Sequence, residues 1–325
     1  MLLGTLSYKT KQFFVVLIKL SIVVGAFYFI YKKLTDNEYL DFNDFTRFLS
    51  ENKSFSTKNI AFLIILSVFN WFFEIVKWKT LVDYIKKISF KNALEQTLGS
   101  LTASLITPNR IGEYGAKAAY YTKAFRNRIA LLNLVGNMMQ MTVTVLFGIA
   151  GLIFFKLNYN LDINYLKVSR FLFIILFVVV LSFFGAKHKT FKIKGNTLQK
   201  IIHFIVYLPK TVLVKGFLLS VIRYAIFSFQ FYFLLTIFGV NVHYSNAMIV
   251  ITSMYLLASI IPSIFIFDVV IKGSVAVYLF SIVGVNELTI LCIVTLMWLL
   301  NFVIPSVFGS YYVLNFNLPK NITNT

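Results

Sequence analysis

The residues best suited to bind a ligand lie in one polar segment that interrupts an apolar stretch. The apolar run 98–107 breaks at Pro108 and is followed by a polar set: Asn109, Arg110, Gly112, Glu113 and Lys117. A guanidinium can hold a phosphate through two parallel hydrogen bonds. A helix that begins near Ile111 would point its free N–H groups at the same place. The segment therefore predicts a binding site for an anionic group.

A second copy of this segment follows Asn246. In both copies an Asn-Ala pair precedes a proline by sixteen residues, which places Pro262 where the first copy has Pro108. An acid and a lysine four residues apart then follow each proline, as Glu113 and Lys117 and as Asp268 and Lys272. A Phe-Gly pair, at 147–148 and 308–309, extends the match. The shared order predicts two duplicated halves, about 58–155 and 212–314.

Arg223 is a further candidate, because it interrupts an apolar run near mid-depth. It could contact the ligand directly or serve as the counter-ion of one of the acids. The two acid–lysine pairs also have the i,i+4 spacing of ion pairs that only stabilise a helix. Because charges inside a membrane are costly, we favour a functional role for these residues.

The composition indicates an all-α polytopic membrane protein, a single integral membrane domain over residues 1–325. Hydrophobic residues make up 58% of the chain and charged residues 13%, against about a quarter charged in soluble domains. Six apolar runs are long enough to span a bilayer: 13–31, 60–76, 129–155, 168–186, 212–240 and 288–314. The net charge of +19 lies largely in short loops, which favours contact with lipid headgroups over nucleic acid.

The charges also predict a topology. If the two proline segments are re-entrant hairpins, most basic residues fall on one face of the six spans. The positive-inside rule then places both termini in the cytoplasm of a bacterium, with the protein in its inner membrane. Three spans separate the halves, so the hairpins open to opposite sides, as in an inverted repeat. Residues 32–57 would form an amphipathic loop outside the cytoplasm.

Two spans carry polar residues with a regular arrangement. Asn133, Asn137 and Gln140 share one helix face, which should point into the bundle as contacts between helices. Glu74 lies toward the end of its span with Trp71 and Trp78, an arrangement typical of an interfacial belt.

The sequence offers no obvious reaction. We find no nucleophile–base pair, metal-ligand spacing or nucleotide fingerprint, and we expect no metal, no cofactor and no catalytic residue. One enzyme class stays open: a glycosyltransferase that uses lipid-linked sugars could employ the acidic loop, with Asp36, Glu38, Asp41 or Asp44. A scaffold that transports nothing is the third alternative.

The string TPNRIGEYGAKAAYY, residues 107–121, resembles the first hairpin motif of the lysylphosphatidylglycerol synthase transmembrane-domain family. The order of spans and the second proline hairpin are similar too. The resemblance implies a flippase that moves modified phospholipid between leaflets, without the soluble aminoacyl-transferring domain of that family. It indicates as functional residues Pro108, Arg110, Gly112, Glu113 and Lys117.

The second hairpin departs from the family pattern. It reads PSIFIFDVVIKG, with Asp268 as the acid, where many relatives have a glycine-rich turn and a glutamate. The headgroup is therefore left open between an aminoacylated phospholipid, an undecaprenyl-phosphate carrier and a glycolipid.

These observations lead to the hypothesis of a lipid flippase whose partner is a membrane lipid with an anionic headgroup. Arg110 and Lys117 would bind phosphate from one side, and Lys272 and Arg223 from the other. The acids, Glu113 and Asp268, would hold those cations or exchange a proton. A homo-oligomer is left open.

Overall fold

The structure is a computed structural model that describes residues 56–105, 107, 110–159, 203–260 and 268–319, with only the backbone at 268–271. It also describes positions 17–21, 24, 25, 28, 31 and 47 and the short strands at 192–193 and 196–197. These strands, β1 (Lys192–Ile193) and β2 (Asn196–Thr197), pair antiparallel.

The first part of the bundle consists of two long helices with two short ones between them. In chain order they are α1 (Thr57–Val82), α2 (Phe90–Ser104), α3 (Gly112–Ala119) and α4 (Lys123–Tyr159). Ser56 and Ser89 cap α1 and α2, because each hydroxyl accepts a hydrogen bond from a backbone N–H in the first turn. With 15 residues, α2 is shorter than the roughly 20 residues that a bilayer requires.

The second part repeats this order of long and short helices. It comprises α5 (Lys210–Ile237), α6 (Tyr244–Ile260), α7 (Asp268–Ile282), α8 (Glu287–Trp298) and α9 (Ile304–Leu314). A π-helical turn, Leu299–Val303, joins α8 to α9 without interrupting the helix. Pro305 has no N–H to donate to the Asn301 carbonyl in the α-helical pattern. The indole of Trp71 on α1 donates to that carbonyl instead, at 3.0 Å.

Four of the six predicted spans are confirmed as helices long and apolar enough to cross a membrane: Thr57–Val82, Lys123–Tyr159, Lys210–Ile237 and Glu287–Leu314. The described positions of the predicted span 13–31 are all helical. The predicted span 168–186 and most of the acidic loop 32–57 lie outside the described residues. The chain is an integral membrane protein.

Short helices of each part pack on the last helix of the other part, since α6 contacts α4 and α2 contacts α9. Glycines allow these close crossings. A Cβ at Gly148 would overlap the side chain of Leu256, and a Cβ at Gly309 would overlap the Leu98 carbonyl and the Thr102 hydroxyl. The two crossings therefore require the absence of a side chain on α4 and on α9.

Two apolar clusters lie at opposite ends of α1. Leu63 belongs to a cluster with α5, α6, α7 and α8, whereas Trp78 and Leu81 belong to a second cluster with α2 and α4. The face of α1 between them is polar yet buried, and it consists of Ser67, Asn70, Glu74 and Lys77. The centre of the bundle is therefore polar.

The crossing of α9 over α2 predicts that two glycine-to-alanine substitutions have very different effects on the stability of the protein. Gly309→Ala should destabilise the protein by about 1–3 kcal/mol, because its methyl group meets backbone atoms that have no room to move. Gly115→Ala in α3 is the control, since a Cβ there has nothing within 4 Å. Thermal unfolding in detergent, followed by tryptophan fluorescence, should show a midpoint several degrees lower for Gly309→Ala only. Equal midpoints would contradict the described crossing.

Candidate functional site

The turn between α2 and α3 is closed by one threonine side chain. The hydroxyl of Thr107 donates to the Ser104 carbonyl at the end of α2 and accepts from the Gly112 N–H at the start of α3, at 2.7 and 2.9 Å. A Cβ at Gly112 would collide with the Thr107 side chain, so only glycine fits there. Arg110, between them, has a φ of 56°, a left-handed conformation that is costly for a residue with a side chain. The strained turn fixes where Arg110 points.

Three charged residues of this turn and of α3 form what we call the hairpin triad: Arg110, Glu113 and Lys117. The Lys117 Nζ donates to Glu113 at 2.7 Å, and Arg110 lies 3.5 Å from the other carboxylate oxygen. Lys117 also donates to the amide oxygen of Asn133 on α4, at 2.8 Å. Its side chain is only 1% exposed, so the ammonium group has exchanged water for these acceptors.

A second group, which we call the core triad, consists of Arg223, Glu74 and Lys77. One carboxylate oxygen of Glu74 accepts from Lys77 and from the Arg223 guanidinium, each at 2.7 Å. The Arg223 Nε donates to Asn70 at 3.0 Å. These bonds join α5 to α1 through charges that are largely withdrawn from solvent.

The core triad continues into the π-helical turn through a chain of amides. Asn70 donates to Asn301 at 2.7 Å, and Asn301 donates to Gln230 at 2.8 Å. Gln230 in turn donates to Ser67 and to the carbonyl of Leu63. Because a buried amide without partners is unstable, this chain fixes the π-helical turn against α1 and α5.

Trp78 contacts both arms of the hairpin. Its indole N–H donates to Gln96 on α2 at 2.9 Å, while Lys117 of α3 lies over its ring at 4.1 Å. The Tyr121 hydroxyl donates to the same oxygen of Gln96. Burial raises the pKa of Tyr121 to about 12. The hairpin therefore docks on α1 through an aromatic ring.

The two triads are close enough to interact electrostatically, and together they are positively charged. Glu74 experiences the charges of Lys117 and of Glu113 as well as those of its own partners. The six charged residues contribute four positive and two negative charges, a net of +2. Excess positive charge in a poorly hydrated place is the environment in which an anion binds well.

The structure brings three of the predicted site residues into contact, Arg110, Glu113 and Lys117, whereas Arg223 belongs to the core triad. Gly112 begins α3, close to the predicted start at Ile111. Lys272 lies exposed on α7, which packs on α6 and α8. Asp268 is the first residue of α7, and its side chain lies outside the described residues, as do Pro108, Asn109 and Pro262.

The interfacial belt predicted at Glu74, Trp71 and Trp78 is wrong. All three side chains are buried in the bundle, because Glu74 binds two cations and each indole N–H has an acceptor there. Arg223 is the counter-ion of an acid, which was one of its two predicted roles, and that acid is Glu74. Asn133 is buried and contacts Lys117, and Asn137 bonds Tyr114 of α3, so their face points into the bundle as predicted.

Sequence reasoning missed several residues of the site. Asn70, Lys77 and Asn301 were not predicted as site residues, although the spacing of Asn70 and Lys77 in the sequence indicates a polar helix face. With Ser67 and Glu74, they recur every three or four residues within an apolar run. That spacing places four polar side chains on one face of a single helix.

Comparison with known proteins gives one finding. The family model described as the lysylphosphatidylglycerol synthase TM region matches residues 16–309, nearly the whole chain. No curated protein and no solved structure gives a significant match.

The core triad predicts a large effect from one uncharged substitution. Glu74→Gln leaves Arg223 and Lys77 without a carboxylate and should destabilise the protein by about 3–5 kcal/mol. The double variant Glu74→Gln/Lys77→Met should be more stable than Glu74→Gln, because an apolar side chain replaces one unpaired buried cation. Denaturation in mixed detergent micelles measures both effects.

The matched control is Asp83→Asn at the end of the same helix, where Asp83 pairs with Lys79 at a half-exposed position. Exposed ion pairs contribute at most about 1 kcal/mol, so this variant should behave almost like the wild type. Equal losses for Glu74→Gln and Asp83→Asn would contradict the importance given to the core triad.

Proposed function

The chain belongs to the lysylphosphatidylglycerol synthase transmembrane-region family, and from this premise we propose that it is a flippase for a lipid with an anionic headgroup. The family relates the chain to lipid handling, and the match covers the first three described spans and most of the fourth. The headgroup would bind between the hairpin and the bundle core, while the acyl chains stay in the bilayer.

The observation that carries this proposal is the net charge of +2 on the two triads. Burying charge is expensive, and a triad that served stability alone could be replaced by apolar side chains at little cost. An anionic headgroup that enters the site neutralises the excess charge. The proposal therefore accounts for charges that a purely structural bundle does not need.

The exposed fractions of the four cations support a division of roles. The lysine side chains, Lys77 and Lys117, are 3% and 1% exposed, whereas Arg110 is 38% and Arg223 21% exposed. The lysines therefore hold the two carboxylates in place. The arginine side chains are partly exposed and have more N–H donors than their triads use, so a phosphate could accept two hydrogen bonds from each guanidinium.

The crossings between the two parts support an inverted repeat. Leu256 follows Thr102 by 154 residues, which is the offset that also relates the two Asn-Ala pairs. Gly309 follows Gly148 by 161 residues, the offset of the two Phe-Gly pairs. Gly148 crosses Leu256, and Gly309 crosses Thr102. Residues that match in sequence thus make matching contacts, as expected of two halves related by a pseudo-two-fold axis.

In this proposal the two short-helix pairs are re-entrant hairpins that open to opposite sides of the inner membrane, and both termini are cytoplasmic. The hairpin formed by α2 and α3 would open to the cytoplasm, and the hairpin formed by α6 and α7 to the other side. Alternating access then requires only that one half rock against the other around the buried triads.

Cysteine labelling tests the opposed hairpins. In a Cys292→Ala background, which removes the sole cysteine, Ile111→Cys, at an exposed position of the turn between α2 and α3, should react with a membrane-impermeant maleimide from the cytoplasmic side. Ser263→Cys should react from the other side. Labelling of both sites from the same side would contradict the inverted repeat, and labelling of neither would indicate kinks in a closed bundle.

Charge reversal at Arg110 tests the transport function. Arg110→Glu should abolish flipping of fluorescent phosphatidylglycerol in proteoliposomes, because it removes a cation and adds a third acid to the triads. The control is Arg128→Glu, the same change at an exposed position of α4. Wild-type rates in Arg110→Glu, with protein in the membrane, would overturn the proposal and favour a scaffold.

A further inference from the structure

The two triads have the same composition, although Glu74 binds both of its cations through one oxygen and Glu113 faces Lys117 and Arg110 with different oxygens. Each consists of one carboxylate, one buried lysine and one partly exposed arginine. Each arginine also lies over an aromatic ring: Arg110 is 5.5 Å from the centre of Phe302, and Arg223 is 5.8 Å from that of Trp71. Phe302 is adjacent to Asn301, whose carbonyl binds Trp71. The two arginines therefore flank the same π-helical turn.

We propose, resting on the proposed function, that the two triads together select a phosphate group with two negative charges. The ligand class is a phosphomonoester or a diphosphate, and the two arginines each contact one part of it. A phosphodiester such as the headgroup of phosphatidylglycerol carries one negative charge and is the weaker ligand.

The charge balance of the site carries this inference. Each triad has two cations and one acid, so each has a net charge of +1. A phosphodiester would neutralise one triad and leave the other with uncompensated charge in a medium of low dielectric constant. A dianion neutralises both.

The hydrogen-bonding groups of the two arginines also favour a phosphate ligand. The Nε of Arg110 is buried, and among the described residues it has no hydrogen-bond partner. The contact of Arg110 with Glu113, at 3.5 Å, is long for a hydrogen bond. A buried donor without an acceptor is costly, and a phosphate oxygen would satisfy it. Arg223 already donates through Nε and Nη1, which leaves donors on its Nη2 for the same ligand.

A dianionic phosphate could come from a membrane lipid or from solution, so the experiment includes both. The full chain is purified in a neutral detergent, and its affinity is measured at pH 8 for three lipids with identical acyl chains. These are phosphatidate, a phosphomonoester; phosphatidylglycerol, a phosphodiester; and phosphatidylcholine, whose headgroup has no net charge. Inorganic phosphate and glycerol 3-phosphate serve as soluble competitors.

We expect phosphatidate to bind at least about tenfold more tightly than phosphatidylglycerol, because a charged hydrogen bond contributes roughly 1.5–3 kcal/mol. Arg110→Gln and Arg223→Gln should each reduce this preference to about twofold or less. Arg128→Gln, at the exposed position on α4, should keep it. The lipid preference of the wild-type protein tests the inference even if an arginine variant fails to fold.

The outcomes separate this inference from the proposed function. Equal affinities for phosphatidate and phosphatidylglycerol, both above that for phosphatidylcholine, would overturn the inference and leave the flippase proposal standing. No preference for either anionic lipid over phosphatidylcholine would overturn both. If glycerol 3-phosphate binds as tightly as phosphatidate, the result supports a site for a dianionic phosphate and contradicts a lipid as its ligand.

Discussion

The carboxylate of Glu74 is the interaction that joins α1 to α5, because it binds cations on both helices at the polar centre of the bundle. Lys77 lies one turn away on α1, and Arg223 belongs to α5. Lipid offers no solvation to these groups, so each charge is stable only while the others are in place. The packing of α1 on α5 is therefore coupled to electrostatics as well as to shape.

The hairpin depends on this core, since it docks on α1 where the core triad ends. Trp78 is one residue beyond Lys77, and it receives Lys117 on its face while its N–H binds Gln96. On the far side, α2 is held by the crossing at Gly309. These contacts hold Arg110, in its strained turn, in a fixed position relative to the core triad on α1 and α5.

Much of this architecture is predictable from the sequence, because it follows from the length of apolar runs and from the spacing of neighbouring charges. The runs 60–76, 129–155, 212–240 and 288–314 all became helices of the expected type. The acid–lysine pair Glu113–Lys117 also formed as its spacing predicts. These features depend on residues that are close together in the chain, and local physics governs them.

The partners of Arg223 and Asn301 were less predictable, because they depend on how distant helices pack. Arg223 meets an acid 149 residues earlier, and Asn301 bonds Asn70 across 231 residues. Asn301 follows Gln140 by 161 residues, the offset of the two Phe-Gly pairs, and this match gives no indication of its partner. The burial of Trp71 has the same origin, since a tryptophan near a helix end suits either an interface or a protein contact.

The distribution of the triads over the two parts bears on how a flippase would work. Both carboxylates and both lysines belong to the first part, whereas Arg223 and the ring of Phe302 belong to the second. If the parts rock against each other, the buried lysine–carboxylate contacts can persist while both arginines change their surroundings. The π-helical turn connects the surroundings of the two arginines. Its Phe302 ring lies against Arg110, and its Asn301 carbonyl binds Trp71, whose ring lies against Arg223. In the proposed function, a headgroup held between Arg110 of the first part and Arg223 of the second would therefore change its surroundings when the parts move relative to each other, while the first part keeps its lysine–carboxylate contacts.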